Sequence, residues 1–212
     1  MVGIAMAASN SVDPRKQRTV DALLSAAEAV FAVLPFEEVT VDEIAERAGV
    51  AVGSIYNNFG SKSGLYAAVI ERALDVDREY MDKAYTPERS PIEQLEAAAE
   101  QYFRFYLDQP EFFRMLAFPP PPGPYAAAAE TAERLARRVD EQNARMVEAI
   151  ERGIHDGTIR PLDARKAATV LWASWNGVIS LAWRTDGLHQ GDEALAELLA
   201  LAADVVGRGL RP

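Results

Sequence analysis

The spacing of apolar residues along the chain predicts a protein made of helices. From Val20 to Phe31 the apolar side chains recur in steps of three and four, and Pro35 ends the pattern. Such steps place side chains on one face of an α-helix, whereas a half-buried strand alternates at every second residue. The helical period continues through the rest of the chain, and no alternating stretch of useful length interrupts it. We therefore predict an all-α fold.

Proline and glycine residues divide the pattern into separate helices. The prolines from Pro119 to Pro122 exclude a helix at that point, and Gly49 and Gly60 close the two shortest helices. Residues 1–14 have little pattern, and we expect a disordered tail there. After the first helix, the predicted helices cover residues 41–48, 52–59, 61–84, 91–108, 111–118, 125–155, 163–186 and 192–207.

Two of the short helices are joined in the manner of a helix-turn-helix motif. Thr40 and Glu43 have the spacing of a capping box at the start of the first helix. Gly49 tolerates the left-handed conformation that ends it, and the second helix begins at Val52. A glycine-containing turn of roughly three to four residues is typical of this motif. The second helix of the motif enters the major groove of DNA.

The segment VAVGSIYNNFGSKSGLY at residues 50–66 also contains the residue types of a loop that binds nucleotide phosphates. Such a loop needs Gly, Lys and Ser or Thr in direct succession, between a strand and a helix. Here Ser61 separates Gly60 from Lys62, and no strand is predicted before them. The nucleotide-binding hypothesis fails on both counts, which leaves the helix-turn-helix.

The second helix of the motif carries small and polar residues that suit contact with DNA. Val52 and Gly53 at its start are small enough for the backbone to approach base edges, and Val52 could contact a thymine methyl group. Hydroxyl and amide side chains follow, and these are ordinary hydrogen-bond donors to phosphate. They belong to Ser54, Tyr56, Asn57 and Asn58.

The overall charge of the chain argues against DNA binding, so the case depends on where the basic residues lie. The formal net charge is −10 at pH 7, and phosphate contacts need lysine and arginine. Lys62 lies at the start of a predicted helix, where free N–H groups and the helix dipole favour an anion. Arg15, Lys16 and Arg18 precede the first apolar stripe, and for them a solvated tail and a phosphate contact remain open alternatives.

Residues 15–74 resemble the N-terminal DNA-binding domain of TetR-type transcriptional regulators. The resemblance rests on the order and spacing of FEEVTVDEIA at 36–45, AGV at 48–50 and GSIYNNF at 53–59, followed by Ser61 and Lys62. Ala51 departs from the family pattern, in which Ser or Thr caps the second helix. The resemblance implies contacts with the DNA backbone from Thr40, Ser54, Tyr56, Asn58 and Lys62, and contacts with bases from Val52, Gly53 and Asn57.

The same resemblance implies a second domain that binds a small molecule and forms a homodimer. We expect a DNA-binding domain at residues 15–62 and the second domain at 63–212. The segment 175–177, Trp-Asn-Gly, is similar to the Trp-His-Gly region of one subgroup. A dimer surface is expected where an apolar stripe of the last helix packs on the helix before it across a two-fold axis. The stripe consists of Leu195, Leu198, Leu199, Ala202, Val205 and Val206, and its partners are Val170, Leu171, Trp175 and Val178.

Aromatic residues with few charges around them gather in the second half of the chain, and two interpretations of them stay open. They could line a pocket for an apolar or aromatic effector, or they could be ordinary core residues at helical spacing. Asn176 stands in an apolar stretch and needs a partner, either a ligand or a neighbouring carbonyl. The candidate ligand-binding residues are Tyr102, Phe103, Tyr106, Phe113, Trp172 and Asn176.

These observations predict a ligand-responsive transcriptional regulator, a repressor that binds a palindromic operator as a homodimer and is released by a small apolar or aromatic effector. The chain has no cysteine, which fits the cytoplasm. No spacing of metal-ligand type occurs, and we expect no metal and no cofactor. The alternative is a helical small-molecule-binding protein or enzyme that does not use DNA. We expect no enzyme, because the sequence offers no candidate catalytic set.

Overall fold

The structure is a computed structural model that describes residues 13–118 and 129–212, with side chains described from residue 133 in the second range. Every secondary-structure element in these ranges is helical, which confirms the predicted fold class. The elements are α1 (Pro14–Phe31), α2 (Val41–Ala48), α3 (Gly53–Phe59), α4 (Lys62–Ala84), α5 (Pro91–Asp108), α6 (Pro110–Ala117), α7 (Ala129–His155), α8 (Ala164–Ile179), a 3-10 helix (Ser180–Trp183) and α9 (Asp192–Leu210).

The chain divides into two compact units at Val69, which we name the N-terminal unit (residues 1–69) and the C-terminal unit (residues 70–212). The predicted tail at 1–14 lies outside the described residues except for its last two positions. There, Pro14 begins α1, and the Asp13 side chain accepts a hydrogen bond from the Arg15 backbone N–H at 2.9 Å. Among the helices of the described ranges, none has the length and apolar character to cross a bilayer.

The N-terminal unit is built around the inner faces of α1, α2 and α3. Leu23, Ile44 and Ile55 come from these three helices and are completely buried, and each such side chain contributes roughly 1.5–3 kcal/mol by leaving water. Phe31 and Tyr66 meet edge to face, with ring centroids 4.7 Å apart. This small core fixes the direction of α3, because Ile55 is its buried residue.

The ends of α2 and α3 follow the chemistry of their terminal residues. The Thr40 hydroxyl accepts a hydrogen bond from the Glu43 backbone N–H at 3.2 Å, and Gly49 takes the predicted left-handed conformation with φ of 67°. No side chain caps α3, as the alanine at position 51 led us to expect. Its first turn is closed instead by backbone bonds, including one of 2.9 Å from Ser54 N–H to the Ala51 carbonyl.

The C-terminal unit is a packed bundle in which α5, α8 and α9 contact one another and α7 packs on α5 and α8. Its largest fully buried side chains include Phe105, Phe113, Trp175 and Leu195. The predicted helix at 163–186 ends earlier than expected, since α8 stops at Ile179 and the chain tightens into the 3-10 helix. The Ser180 hydroxyl donates to a carbonyl of the preceding turn at 2.7 Å, a local bond that competes with helix propagation.

The apolar residues of α9 form two stripes instead of the single predicted one. Leu195 and Leu199 point into the core of the C-terminal unit, whereas Leu201 and Val205 are 57% and 62% exposed. On α8, likewise, Leu171 and Trp175 are buried while Val170 is 58% exposed. The prediction that Leu195, Leu199, Leu171 and Trp175 form an outer dimer surface is therefore wrong, because the core already occupies those side chains. Of the exposed apolar residues, Val205 and Val170 are members of the predicted surface, whereas Leu201 is not.

Candidate nucleic-acid interface and ligand site

The outer face of α3 presents the residues that a DNA-reading helix needs. Gly53, Tyr56 and Asn57 are exposed, and Tyr56 remains 51% accessible although its neighbour Ile55 is completely buried. A Cβ atom added at Gly53 would meet nothing within 4 Å. The fold itself therefore does not require glycine at this position. Val52 and Ser54 are half-buried beside this face.

Two of the residues that are predicted to contact the DNA backbone already form hydrogen bonds within the protein. The Asn58 side-chain amide donates to the Ser54 carbonyl at 2.8 Å, one turn back along α3. The Thr40 hydroxyl oxygen accepts from Glu43, as described above, and Thr40 itself is exposed. A hydroxyl that accepts one bond still has its own hydrogen to donate. The contacts predicted for Thr40 and Asn58 stay predictions.

Lys62 connects the start of α4 to the loop between α1 and α2. Its ammonium donates to the carbonyls of Phe36 and Val39, both at 2.8 Å, and lies 4.4 Å from the centroid of the Phe36 ring. An ammonium has three N–H groups, so one remains for a phosphate. The predicted phosphate contact of Lys62 stays a prediction. The structure adds a role that the sequence did not indicate, since Lys62 also holds in place the loop that leads into α2.

Three of the predicted ligand residues lie together in the packed core of the C-terminal unit. The ring centroid of Phe113 lies 4.9 Å from that of Tyr102 and 5.5 Å from that of Tyr106. All three side chains are buried. The Tyr106 hydroxyl donates to Asp192 at 3.0 Å. Burial, and then the bond to Asp192 and its charge, raise the pKa of Tyr106 to about 12.

Asn176 is bonded to the protein through both ends of its amide. The side-chain oxygen accepts from the Tyr102 hydroxyl at 3.0 Å, and the side-chain nitrogen donates to the Trp172 carbonyl at 3.0 Å. Of the two partners considered for Asn176, a neighbouring carbonyl is therefore present. Its bond to Tyr102 joins α5 to α8 in the middle of the bundle.

The remaining two predicted ligand residues lie in separate surface grooves. Phe103 contributes to a groove of about 500 Å³ between α5 and α9. Trp172 contributes to a groove of about 690 Å³ between α7 and α8, whose walls also carry Asp140, Glu148 and Glu151. Phe103 and Trp172 thus line different grooves, and neither groove includes the other four predicted ligand residues. Helical periodicity is what these six residues share in the sequence. Periodicity alone does not tell which neighbouring helix or groove each side chain faces.

Sequence reasoning missed Asp77, a carboxylate in the core of the C-terminal unit. Asp77 is only 6% exposed, and the side-chain amide of Gln142 donates to one of its oxygens. Burial raises the pKa of Asp77 to about 6, against the smaller opposing effects of Gln142 and Arg145. The signal was present in the sequence, because Asp77 stands between Ala73 and Met81 on the apolar stripe of α4.

A ladder of ion pairs holds α4 alongside α7 on both sides of Asp77. Exposed pairs of this kind are each worth about 0–1 kcal/mol, so the ladder sets the register of the helices more than their stability. The pairs are Glu71 with Arg134, Asp75 with Arg138, Arg78 with Glu141, and Asp82 with Arg145. This register places Gln142 at Asp77.

The architecture and the sequence both match known transcriptional regulators. The family model "Bacterial regulatory proteins, tetR family" matches residues 23–69, and "Tetracyclin repressor-like, C-terminal domain" matches residues 95–208. The HTH-type transcriptional regulator RutR of Escherichia coli strain K12 is 29% identical over 170 residues, which are 78% of this chain and 74% of RutR.

Two solved structures share the fold. AibR, in complex with isovaleryl coenzyme A and operator DNA, has a TM-score of 0.71 and 18% identity, with 92% of this chain and 98% of AibR covered. A bacterial regulatory protein in the tetR family from Rhodococcus RHA1 has a TM-score of 0.70 and 19% identity, with 89% and 97% covered. The C-terminal family model alone covers more than half of the chain, and the protein therefore belongs to the TetR family of bacterial transcriptional regulators.

Proposed function

We propose that this regulator is a homodimeric repressor that reads a two-fold symmetric operator with α3 and leaves it when a small molecule binds to the C-terminal unit. The observation that carries the DNA-binding part is the division of α3 into two faces. Ile55 is completely buried, while Gly53, Tyr56 and Asn57 are exposed on the opposite side. Polar and small residues held outward by a fixed core are what recognition of the major groove requires.

Within this proposal, residues of the motif have two kinds of role. Val52, Gly53 and Asn57 approach base edges, and the free face at Gly53 supports that approach. Hydroxyl, amide and ammonium groups hold the phosphates and set the register of α3 without reading sequence. They belong to Thr40, Ser54, Tyr56, Asn58 and Lys62.

The proposed dimer uses the exposed apolar residues of α8 and α9. Val170 on α8 and Leu201 and Val205 on α9 are each more than half exposed, and a second protomer would remove this apolar area from water. A Cβ atom at Gly177 would meet nothing within 4 Å, so the protomer itself gives no reason for glycine there. A second helix packed closely on α8 supplies one. An isologous interface places two α3 helices about 34–36 Å apart on successive major grooves.

The proposed effector binds among the aromatic residues of the C-terminal unit. The packed rings of Tyr102, Tyr106 and Phe113 supply an apolar environment, and α4 is one continuous helix that carries both Lys62 and Asp77. A ligand that displaces α4 would change the separation of the two α3 helices in the dimer. The solved complex of AibR with isovaleryl coenzyme A and operator DNA supports a fold that accommodates both kinds of partner.

Genome-wide DNA capture with the purified protein tests the proposal. The expected result is enrichment of fragments that share a short inverted repeat, with affinity that falls as salt rises because phosphate contacts release counterions. A matched protein with Tyr56→Ala and Asn57→Ala should capture nothing above background while keeping its helical content. If the wild-type protein enriches no fragment at low salt, the repressor proposal is wrong. That result would favour the alternative, a helical small-molecule-binding protein or enzyme that does not use DNA.

A further inference from the structure

The carboxylate of Asp77 is buried with only one of its two oxygens in a hydrogen bond. Gln142 donates to one oxygen, and the other has no partner among the described residues. The nearest positive charge that acts on it is Arg145, whose guanidinium is bonded to Asp82 at 2.7 Å and lies over the Tyr85 ring. The described side chains therefore leave a strong acceptor unsatisfied in the core.

A buried donor without a partner lies in the core of the same unit. The indole N–H of Trp175 is inaccessible to solvent and makes no hydrogen bond in the described part of the chain. Tyr102 interacts with both groups. Its ring centroid is 5.9 Å from that of Trp175, and, after burial, the charge of Asp77 is the next cause that raises the pKa of the Tyr102 hydroxyl. One buried tyrosine thus packs on the ring that carries the unpaired donor and is acted on by the charge of the unpaired acceptor.

Such an arrangement costs stability that an apolar side chain would not cost. A buried polar atom without a partner is destabilising by about 1–3 kcal/mol, and by more when it is charged. Replacing such groups with apolar residues of similar volume is often neutral or favourable. Among the described residues, the amides of Gln94 and Asn176 are also buried in this unit, but each is hydrogen-bonded at both its oxygen and its nitrogen. Asp77 lacks that compensation, so folding alone does not explain it. Residues that reduce stability in this way are typical of sites that bind another molecule.

We propose that Asp77 and Trp175 are the polar recognition groups of the effector site, and that the effector is a small uncharged or cationic molecule with an N–H or O–H donor for Asp77 and an oxygen acceptor for the Trp175 indole. The inference rests on the proposed function and sharpens its effector from an apolar molecule to one with paired donor and acceptor groups. Tyr102 and Phe113, whose rings pack together, supply the apolar surroundings next to Trp175. A ligand carboxylate is disfavoured here, because Asp77 has the same charge.

Benzamide and N,N-dimethylbenzamide test this chemistry, because they share a ring and a carbonyl while only benzamide has N–H donors. Binding is measured by calorimetric titration and by the indole N–H signal of Trp175 in NMR spectra, assigned with Trp175→Phe. Wild-type protein should bind benzamide at least about tenfold more tightly than its dimethyl derivative, as expected for a hydrogen bond to a charged acceptor. The Trp175 indole signal should shift on addition of benzamide.

Two variants at position 77 and one matched control complete the test. Asp77→Leu and Asp77→Asn should each lose the preference for benzamide, whereas Glu79→Gln, an exposed carboxylate on the same helix, should keep it. The proposal is overturned if the wild-type protein fails to bind benzamide, if both compounds bind equally, or if the preference survives in Asp77→Leu. DNA capture by the same proteins separates this outcome from failure of the repressor proposal, since Asp77→Leu should still capture DNA.

Discussion

The two units of the protein distribute polar and apolar groups in opposite ways. In the N-terminal unit the interior is satisfied, because Ile44 and Ile55 fill the core and the Lys62 ammonium is bonded to two carbonyls. Its exposed groups on α3 are polar. In the C-terminal unit an unpaired carboxylate oxygen lies inside, and Val205 is exposed outside. Among the described residues, the N-terminal unit thus has polar groups outside and a satisfied interior, while the C-terminal unit has an exposed apolar side chain and an unpaired polar atom in its core.

The largest expected effect comes from charging the exposed surface of the C-terminal unit. Val205→Glu should convert a dimer to monomers and weaken operator binding about a thousandfold, within the range by which linking two binding sites raises affinity. Mass by light scattering and a binding titration on the captured operator measure both effects. Leu188→Glu is the matched control, since Leu188 is 58% exposed but lies in the connection before α9. A dimeric Val205→Glu protein with unchanged affinity would place the interface elsewhere.

The unpaired carboxylate in the core should make stability fall as pH rises. The pKa of Asp77 is about 6 in the folded protein against 3.8 as its ordinary value. Its stabilising contribution is therefore complete below 3.8 and is lost as pH rises through about 6, a loss of about 3 kcal/mol. Asp77→Asn should remove this slope and be more stable than wild type at pH 7, by denaturant unfolding. Glu79→Gln should keep the slope, and a wild-type curve that is flat in this window contradicts the account.

Removing the charge of Lys62 should lower the stability of the protein, whereas removing the charge of Asp77 should raise it. Lys62→Met should lower the free energy of unfolding by about 2 kcal/mol, because two carbonyls lose their donor and the Phe36 ring loses its cation. Lys16→Met, an exposed lysine on α1, should change nothing. If the third N–H of Lys62 holds a phosphate, the salt slope of operator binding also falls by about one. Unchanged stability would show that the hydrogen bonds of Lys62 to Phe36 and Val39 are not formed in solution.

A polar residue on the outer face of α3 should affect DNA and leave the fold untouched. Tyr56→Phe removes one hydroxyl from a side chain that is 51% exposed. Operator affinity should fall by about 1 kcal/mol, equally for all sequences, if the hydroxyl holds a phosphate. Thermal unfolding should stay within about 0.5 kcal/mol of wild type, as is usual for surface substitutions. A change in base preference with Tyr56→Phe would mean that this residue reads sequence.

The helices and the two faces of α3 could be predicted from sequence because their causes are local. The Thr40 cap, the left-handed Gly49 and the period that buries Ile55 all lie within a few residues of one another. The contacts of Lys62 with Phe36 and Val39, and of Asp77 with Gln142, join distant parts of the chain and depend on how helices are placed. The same limit explains the dimer stripe, since two apolar stripes on α9 have the same period and differ only in what covers them.

Base preference at a symmetric operator position tests the central claim, that two α3 helices read DNA with their exposed faces. The captured operator is varied at each position, in one half-site and then in both, and binding of wild-type and Asn57→Ala proteins is compared at fixed salt. We predict that Asn57→Ala relaxes discrimination at one position in each half-site by about 1–3 kcal/mol and leaves all other positions unchanged. A uniform loss at every position, or an effect in only one half-site of a symmetric operator, would contradict the account.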